Sequence, residues 1–194
     1  MGFRGCPRTA SDEYAIERQP IRSRSPSSRA EANLVRSYSD PLQMLTANQI
    51  STPGFGKDAL FEVTGSGFPI GAINDTRGTF ELNKQTLRIV RSGFLAPRYQ
   101  LNCDETPLAL ASRKPFVNSY TVSFGDKEWT FKATVLLATS FGLFEGETRV
   151  GSISSGPFSN RLTNITADLP DALPLEVQMF LLSLFIRHLT SAGT

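Results

Sequence analysis

The most apolar stretch of the chain lies near its C-terminus and predicts a helix without a polar face. From Leu175 to Leu189, apolar side chains would fall on every side of such a helix. A helix of this kind is stable only when protein or lipid surrounds it. Its uncharged run, 177–186, is well below the ~20 apolar residues that a membrane crossing needs. We therefore predict a buried helix over about 174–190 and no transmembrane span.

The hydrophobic pattern changes to a period of two between Asp58 and this helix, which is typical of β-strands. Gly, Asn and Asp separate short alternating segments, and the pattern predicts about eleven or twelve strands. Because no helical period intervenes, a parallel βαβ arrangement is excluded. A barrel of more than about eight strands leaves a lumen that side chains alone do not fill. We predict a mainly β fold, an antiparallel closed barrel of about twelve strands around the buried hydrophobic C-terminal helix.

Two hairpins allow the strand register to be predicted. At Gly125-Asp126, residue 124 should pair with 127, and the leading glycine favours a type II′ turn. The cross-strand neighbours would then be Val122 with Trp129 and Tyr120 with Phe131. In the hairpin over 79–91 we predict a four-residue loop, 83–86, with Leu82 opposite Leu87.

The N-terminal segment has a different composition from the rest. Residues 1–52 are rich in Ser and Arg and lack a periodic apolar pattern, so we predict a disordered tail, with the barrel domain over 53–194. The whole chain has a net charge of +2, which lies in this tail. A neutral folded domain gives no electrostatic case for binding nucleic acid. Within the tail, the segment 36–41 resembles a phosphoserine-docking motif, and Ser39 is the candidate phosphorylation site.

The residue types that support catalysis are scarce. The only histidine, His188, lies in the last turn of the predicted helix, where the helix dipole favours a positively charged side chain. One histidine and two distant cysteines cannot build a closed zinc site. Carboxylate pairs such as Asp104-Glu105 and Glu145 with Glu147 fall at predicted turns, where solvated acids are common. We expect no catalytic residues, no metal and no cofactor, and a protein that is not an enzyme.

The positions of the two cysteines indicate the cellular compartment of the protein. Cys6 lies in the tail and Cys103 in a strand-like segment, which argues against a structural disulfide and fits a reducing cytoplasm. Residues 1–25 also lack the apolar region of a secretory signal. We expect a cytoplasmic protein, peripheral to a membrane if it binds one.

One group of cations is a candidate binding site. Arg113 and Lys114 lie at the end of a predicted strand, and Lys132 lies on the outward face of another. Together they would form a patch for anionic lipid headgroups or phosphorylated ligands. The alternative interpretation is ordinary scattered charge on a solvated surface.

Several local motifs, together with the order of strands before an apolar helix, are similar to a known family. They are Ile70-Gly-Ala-Ile73, Val150-Gly-Ser-Ile153, Leu110-Ala-Ser-Arg-Lys114 followed by Tyr120-Thr-Val122, and Leu169-Pro-Asp-Ala-Leu-Pro174. Over about residues 55–190 the chain resembles the Tubby C-terminal-like superfamily, which includes tubby proteins, phospholipid scramblases and the LURP-one-related proteins of plants. The resemblance implies a twelve-stranded barrel around a hydrophobic helix and a link to anionic lipids or lipid transport.

The resemblance does not identify functional residues. No headgroup-binding motif of the family matches this chain position by position, and the proline-rich and cysteine-rich features of scramblases are absent. The glycines of two matching motifs, Gly71 and Gly151, have a simpler interpretation, because glycine in a strand often marks a bulge or bend of a closing barrel.

The leading functional prediction is a non-catalytic Tubby-like domain that binds membrane lipid headgroups or serves as an interaction scaffold, with an anionic lipid or a protein as its partner. Two alternatives remain open. A lipocalin-like carrier of an apolar ligand would require the helix to lie outside the barrel. An enzyme acting through carboxylates at the barrel rim would require two acids within about 5–10 Å of each other.

Overall fold

The computed structural model describes residues 43–51, 58–135, 139–156 and 162–191. They form twelve strands and one helix. The strands are β1 (Gln43–Ser51), β2 (Leu60–Gly65), β3 (Phe68–Asn74), β4 (Thr79–Leu82), β5 (Gln85–Ser92), β6 (Arg98–Cys103), β7 (Thr106–Arg113), β8 (Ser119–Phe124), β9 (Lys127–Ala133), β10 (Ser140–Glu145), β11 (Thr148–Ser154) and β12 (Ile165–Leu169), and the helix is α1 (Leu175–Ser191). Residues 1–42, including Ser39 and most of the predicted tail, lie outside the described part.

The strands form a closed, up-and-down antiparallel barrel. Each strand pairs with the next in sequence, and β1 closes the ring by pairing with β12, with Leu45 opposite Ala167. Closure satisfies the backbone hydrogen-bonding groups that a free edge strand would expose. The predicted fold class is confirmed.

The helix lies inside the barrel. Every residue from Val177 to Ile186 is buried, so no face of this stretch of α1 is open to solvent. The inward rows of the strands are buried as well, for example Phe61, Phe131 and Phe141. At roughly 10–12 Å across with side chains, a helix matches the lumen that a wide barrel leaves. The apolar composition of α1 is therefore explained by its position as the core of the domain.

The helix begins and ends close to the predicted limits. The carbonyl of Pro174 accepts the first helical hydrogen bonds, from the backbone N–H groups of Val177 and Gln178. The Gln178 side chain donates to the carbonyl of Leu173 at 2.8 Å, which fixes the chain as it enters the barrel. The buried Ser183 hydroxyl donates to the carbonyl of Met179, so this polar group is satisfied within the helix.

The two predicted hairpin registers have different outcomes. At Gly125-Asp126 the pairing of 124 with 127 is confirmed, and Gly125 has φ +55, as a type II′ turn requires. The register over 79–91 was wrong, because Leu82 pairs with Gln85 and not with Leu87. Asn83 and Lys84 both have positive φ, so a two-residue type I′ turn replaces the predicted loop. A shift of two residues keeps the same side chains inside the barrel.

The predicted boundary between tail and barrel was placed too late. Strand β1 lies within the segment 1–52, yet it pairs with β12 on one side and with β2 on the other. Its inward side chains include Leu45 and the small Ala47, both fully buried. An alternation that relies on alanine is weak in the sequence, so the strand became apparent only from its pairing.

The interpretation of Gly71 and Gly151 as marks of bends is confirmed. Each lies beside a register shift, between Val63 and Thr64 of β2 for the first and between Leu143 and Phe144 of β10 for the second. A Cβ atom on Gly71 would collide with the carbonyl oxygen of Glu81. The neighbouring backbone approaches too closely for any side chain at this position.

The two ends of the barrel are built differently. At one end, the tight-turn end, consecutive strands are joined by two-residue turns, at 66–67, 83–84, 104–105, 125–126 and 146–147. At the other end, the long-loop end, the connections are longer and include 75–78, 93–97 and 114–118. Helix α1 enters the barrel from the tight-turn end, after β12, and its last turn lies at the long-loop end. This asymmetry positions the candidate site.

Candidate functional site

The last turn of α1 is fixed to the β3–β4 loop at the long-loop end. The Arg187 guanidinium forms an ion pair with the Asp75 carboxylate, at 3.1 Å, and also donates to the Asp75 carbonyl. The Thr190 hydroxyl donates to the second carboxylate oxygen of Asp75 at 3.1 Å. On the outer side of the same loop Arg77 pairs with Asp58. Charges in this sector of the long-loop end therefore neutralise one another.

An aromatic cluster lies beneath the neighbouring sector. Tyr99 and Tyr120 pack edge to face, with ring centroids 6.1 Å apart, and Phe141 packs against both Phe185 and His188 of α1. Burial raises the pKa of Tyr120 to about 12, and nearby Tyr99 acts in the same direction. Burial is also the main reason that the pKa of His188 lies below its usual value, with a further contribution from the positive charge of Arg113. The interior of this end therefore favours uncharged side chains.

The three predicted binding residues lie at the same end of the barrel. Arg113 ends β7, Lys114 begins the following loop, and Lys132 lies near the end of β9. Because Lys132 pairs with Ser119 and the N–H of Ala133 donates to the carbonyl of Asn118, strand β9 runs directly beside this loop. The Lys132 ammonium lies 4.4 Å from the centre of the Phe144 ring, on the outer wall.

Two further cations join them, and neither was predicted from the sequence. Arg91 and Arg98 flank the β5–β6 loop and pair with Tyr99 and Ser92, respectively. Arg91 and Arg113 both act on the pKa of Tyr120, which places their charges near the barrel mouth. We call these residues the basic rim: Arg91, Arg98, Arg113, Lys114 and Lys132. Among the described residues, none of them is in an ion pair.

The basic rim lies in a sector that lacks acids. The described residues of the long-loop end from β5 to β10 are 91–99, 112–121, 132–135 and 139–141, and none of them is Asp or Glu. The overall charge of the chain is nearly balanced, so this excess is local. Such a concentration of one sign attracts anions more strongly than the net charge suggests.

Two loops of this sector carry large apolar side chains at their tips. We call these residues the apolar tips: Phe94 and Leu95 in the β5–β6 loop, and Phe116 and Val117 in the β7–β8 loop. Phe94 is 89% exposed, Leu95 82% and Phe116 fully exposed. The loops are neighbours, because the N–H of Arg113 donates to the carbonyl of Pro97 at 3.0 Å. Apolar side chains and cations therefore occupy one continuous surface.

The backbone at Phe116 is unusual. Its φ is +62, in the left-handed region that bulky residues rarely adopt. The N–H of Lys114 donates to the carbonyl of Ser119, which closes the loop and holds Phe116 at its apex. A glycine or an asparagine would fit this conformation at lower energy. The fold alone therefore gives no reason for a phenylalanine here.

A signal for the apolar tips was present in the sequence. Arg91-Ser-Gly-Phe-Leu-Ala-Pro-Arg98 and Arg113-Lys-Pro-Phe-Val-Asn118 share a cation, a Gly or Pro, a Phe and an aliphatic residue. Exposed turns rarely carry two adjacent large apolar residues. The similarity of the two segments became meaningful once the barrel placed them side by side.

The remaining candidate residues are not brought together. The acidic pairs Asp104-Glu105 and Glu145 with Glu147 lie at separate, exposed turns of the tight-turn end. No cluster of His, Cys, Asp and Glu suited to a metal ion occurs in the described ranges.

The expectation for the cysteines was wrong for Cys103, which is disulfide-bonded. The chain's other cysteine, Cys6, lies outside the described residues. A buried cysteine at a strand end is indistinguishable in the sequence from a small apolar side chain, so the alternating pattern gave no indication of a bond.

Comparisons with known proteins identify no relative. No family model, no curated protein and no solved structure matches this chain. Within the described residues, α1 falls short of the length and apolar character that a membrane-crossing helix requires. Functional inference therefore depends on the site itself.

Proposed function

We propose that this protein is a non-catalytic barrel that binds the surface of anionic membranes through the long-loop end. The observation that carries the proposal is the basic rim, a group of cations that form no ion pair with any described residue, in a sector whose described residues include no acid. Its partner would be the negatively charged headgroup layer of a bilayer, and the binding would be peripheral.

Electrostatics supports this assignment quantitatively. A Lys or Arg close to an anionic membrane contributes about 1 kcal/mol, roughly a fivefold gain in affinity. The geometry of Arg113 also suits anion binding. Its side chain donates one hydrogen bond to the Asn118 side chain, which leaves other guanidinium N–H groups available. A planar guanidinium can donate two parallel hydrogen bonds to two oxygens of one phosphate. The basic rim therefore suits phosphate-containing headgroups.

We extend the proposal to family and location. Twelve antiparallel strands around a buried C-terminal helix support membership of the Tubby C-terminal-like superfamily, whose implied link to anionic lipids agrees with the basic rim. A cytoplasmic, peripheral location fits the negative surface that the cytoplasmic leaflet presents. The disulfide of Cys103 is unusual for a reducing cytoplasm, so the proposed location depends on the basic rim and no longer on the cysteines.

The geometry favours neither alternative. A lumen carrier required the helix to lie outside the barrel, whereas α1 fills the interior. A rim enzyme required two acids in a common cleft, whereas the acidic pairs lie at separate turns. An interaction scaffold that uses the same end of the barrel is the competing outcome of the test below.

The test is co-sedimentation with vesicles. Vesicles of phosphatidylcholine with increasing phosphatidylserine should retain the protein progressively, and added salt should release it. A variant with Arg113→Gln and Lys114→Gln should bind about ten- to thirtyfold more weakly, as two lost cations imply.

The matched control removes the same charge from the other end of the barrel. Lys84 and Lys127 are exposed at the tight-turn end, and Lys84→Gln with Lys127→Gln should leave binding unchanged. Equal weakening by both double variants would mean that only net charge matters. Failure of the wild type to bind anionic vesicles at low salt would remove the lipid proposal and favour a scaffold.

A further inference from the structure

We propose that the apolar tips penetrate the membrane interface, so that two neighbouring loops insert as a pair while the basic rim remains at the headgroup level. The inference rests on the proposed function and deepens it. It assigns a second, apolar component of binding and an orientation of the barrel, with the long-loop end against the bilayer and the tight-turn end directed away from it.

Burial within the protein does not explain the apolar tips. Phe94, Leu95 and Phe116 are more than four-fifths exposed, in contrast to Phe80, Phe131 and Phe141, which are buried in the barrel wall. Phe116 additionally holds a left-handed backbone conformation. Exposure and backbone strain both disfavour a phenylalanine at this position unless another surface covers it.

The order of residues along each loop matches the layers of a membrane interface. The cations lie at strand ends, as Arg91, Arg98 and Arg113 do, and the apolar residues lie between them, toward the loop apices. Lys114 lies at the base of the loop that carries Phe116. Insertion of the apices would bring the guanidinium and ammonium groups to the depth of the phosphates. Interfacial proteins combine the same elements, aromatic and aliphatic side chains with flanking Lys and Arg.

Charge distinguishes a membrane from the other surfaces that could cover the apolar tips. A second copy of this chain docked on the same face would set two basic rims against each other, and like charges oppose such a contact. An anionic bilayer complements the cations and accepts the apolar tips at once. The backbone bond between Arg113 and Pro97 keeps the two loops together, so both can insert in a single event.

The experiment introduces tryptophan at the positions in question. Phe94→Trp and Phe116→Trp are compared with Phe68→Trp, because Phe68 is 74% exposed but lies at the tight-turn end. Wild-type protein is the blank, since its single tryptophan, Trp129, is buried in β9. Each protein is mixed with vesicles of phosphatidylserine and phosphatidylcholine that carry bromine at different depths of the acyl chain.

Insertion predicts that emission from Phe94→Trp and Phe116→Trp shifts to shorter wavelength. Bromine near the headgroup end of the chains should quench this emission most. The bromine should quench Phe68→Trp no more than it quenches the wild type. Replacing both Phe94 and Phe116 by serine should weaken partitioning by about tenfold or more, and the remaining binding should depend more strongly on salt. Phe68→Ser should have no effect.

The outcomes separate this inference from the proposed function. Binding without quenching at positions 94 and 116 would overturn insertion and leave headgroup binding intact. Quenching of Phe68→Trp to the same degree would overturn the orientation. Failure of the wild type to bind vesicles would overturn both proposals. Concentration-dependent self-association that Phe116→Ser abolishes would assign the apolar tips to contact between copies and overturn the insertion.

Discussion

The two ends of the barrel show how differently one fold can use its connections. At the tight-turn end, residues such as Ser66, Asn83 and Asp104 adopt the positive φ that short hairpins require, and the charged residues near the turns include both acids and lysines. At the long-loop end, the described residues of the sector from β5 to β10 include cations but no acid, and they include large apolar side chains that are exposed. Folding requirements explain the turn residues of the first end, but they do not explain the exposed loop residues in this sector of the second.

A comparison within the long-loop end leads to the same conclusion. In the sector of β2 to β4, Asp58 pairs with Arg77 and Asp75 with Arg187, so opposite charges meet. The basic rim in the neighbouring sector has no such pairs among the described residues. Charge of one sign on a folded surface repels itself, and an external anion would relieve that repulsion. The following predictions test this division between structural and functional residues.

The largest expected effect is the loss of folding stability when a buried phenylalanine is replaced, compared with the replacement of an exposed one. Phe185→Ala should lower the free energy of unfolding by about 3–5 kcal/mol, because it leaves a cavity between α1 and Phe141. Phe116→Ala should change it by no more than about 0.5 kcal/mol, since Phe116 contacts little. Chemical denaturation gives both values. A large loss for Phe116→Ala would mean that the residue serves the fold after all.

The next effect compares a half-buried ion pair with an exposed one. Asp75→Ala removes the acceptor of both Arg187 and Thr190 and should destabilise the protein by about 2–3 kcal/mol, because it leaves a shielded guanidinium unpaired. Arg77→Ala removes an ion pair whose arginine is 71% exposed, and the loss should be about 1 kcal/mol or less. Similar losses for the two variants would contradict an anchoring role for Asp75.

A smaller effect compares glycines at the two ends, both in left-handed conformations. Gly78→Ala should destabilise by about 2 kcal/mol, since its Cβ would lie 2.6 Å from a guanidinium nitrogen of Arg187 and would add a steric conflict to the backbone strain. Gly125→Ala meets no atom within 4 Å, so only the backbone strain of about 1 kcal/mol should remain. Thermal or chemical denaturation of the two variants provides the comparison.

The smallest effect concerns pH. The pKa of His188 in the folded protein lies below the usual 6.5, so the unfolded chain binds more protons as the pH falls below that value. The burial of neutral His188 therefore does not reduce stability above pH 6.5, and the free energy of unfolding falls as the pH decreases from 6.5 toward the lowered pKa. When the pH is lowered from above 6.5 to below it, the denaturation midpoint should decrease less for His188→Gln than for the wild type. Identical pH profiles would show that the burial of His188 does not affect its protonation.

The sequence alone was sufficient where a property is local. The apolar residues on all faces of 175–189 required burial whatever surrounded them, and the alternation over 119–132, with a glycine leading its turn, set both register and turn type. The Asn83-Lys84 turn was missed because the predicted register placed Leu82 opposite Leu87, and a register shifted by two residues keeps the same side chains inside, so the alternating pattern did not distinguish the two.

Only the tertiary structure decided the candidate site. Arg113, Lys114 and Lys132 could be selected from their local patterns, but their relation to Arg91 and Arg98 depends on the order of strands around the ring. The apolar tips lie more than twenty residues apart in sequence, and a backbone hydrogen bond between the bases of their loops sets them side by side. Periodicity reports which face of an element is buried, whereas the closing of a sheet determines which loops become neighbours. A nearly neutral composition can therefore contain a basic and apolar surface whose parts are visible in the sequence but whose assembly depends on the closed barrel.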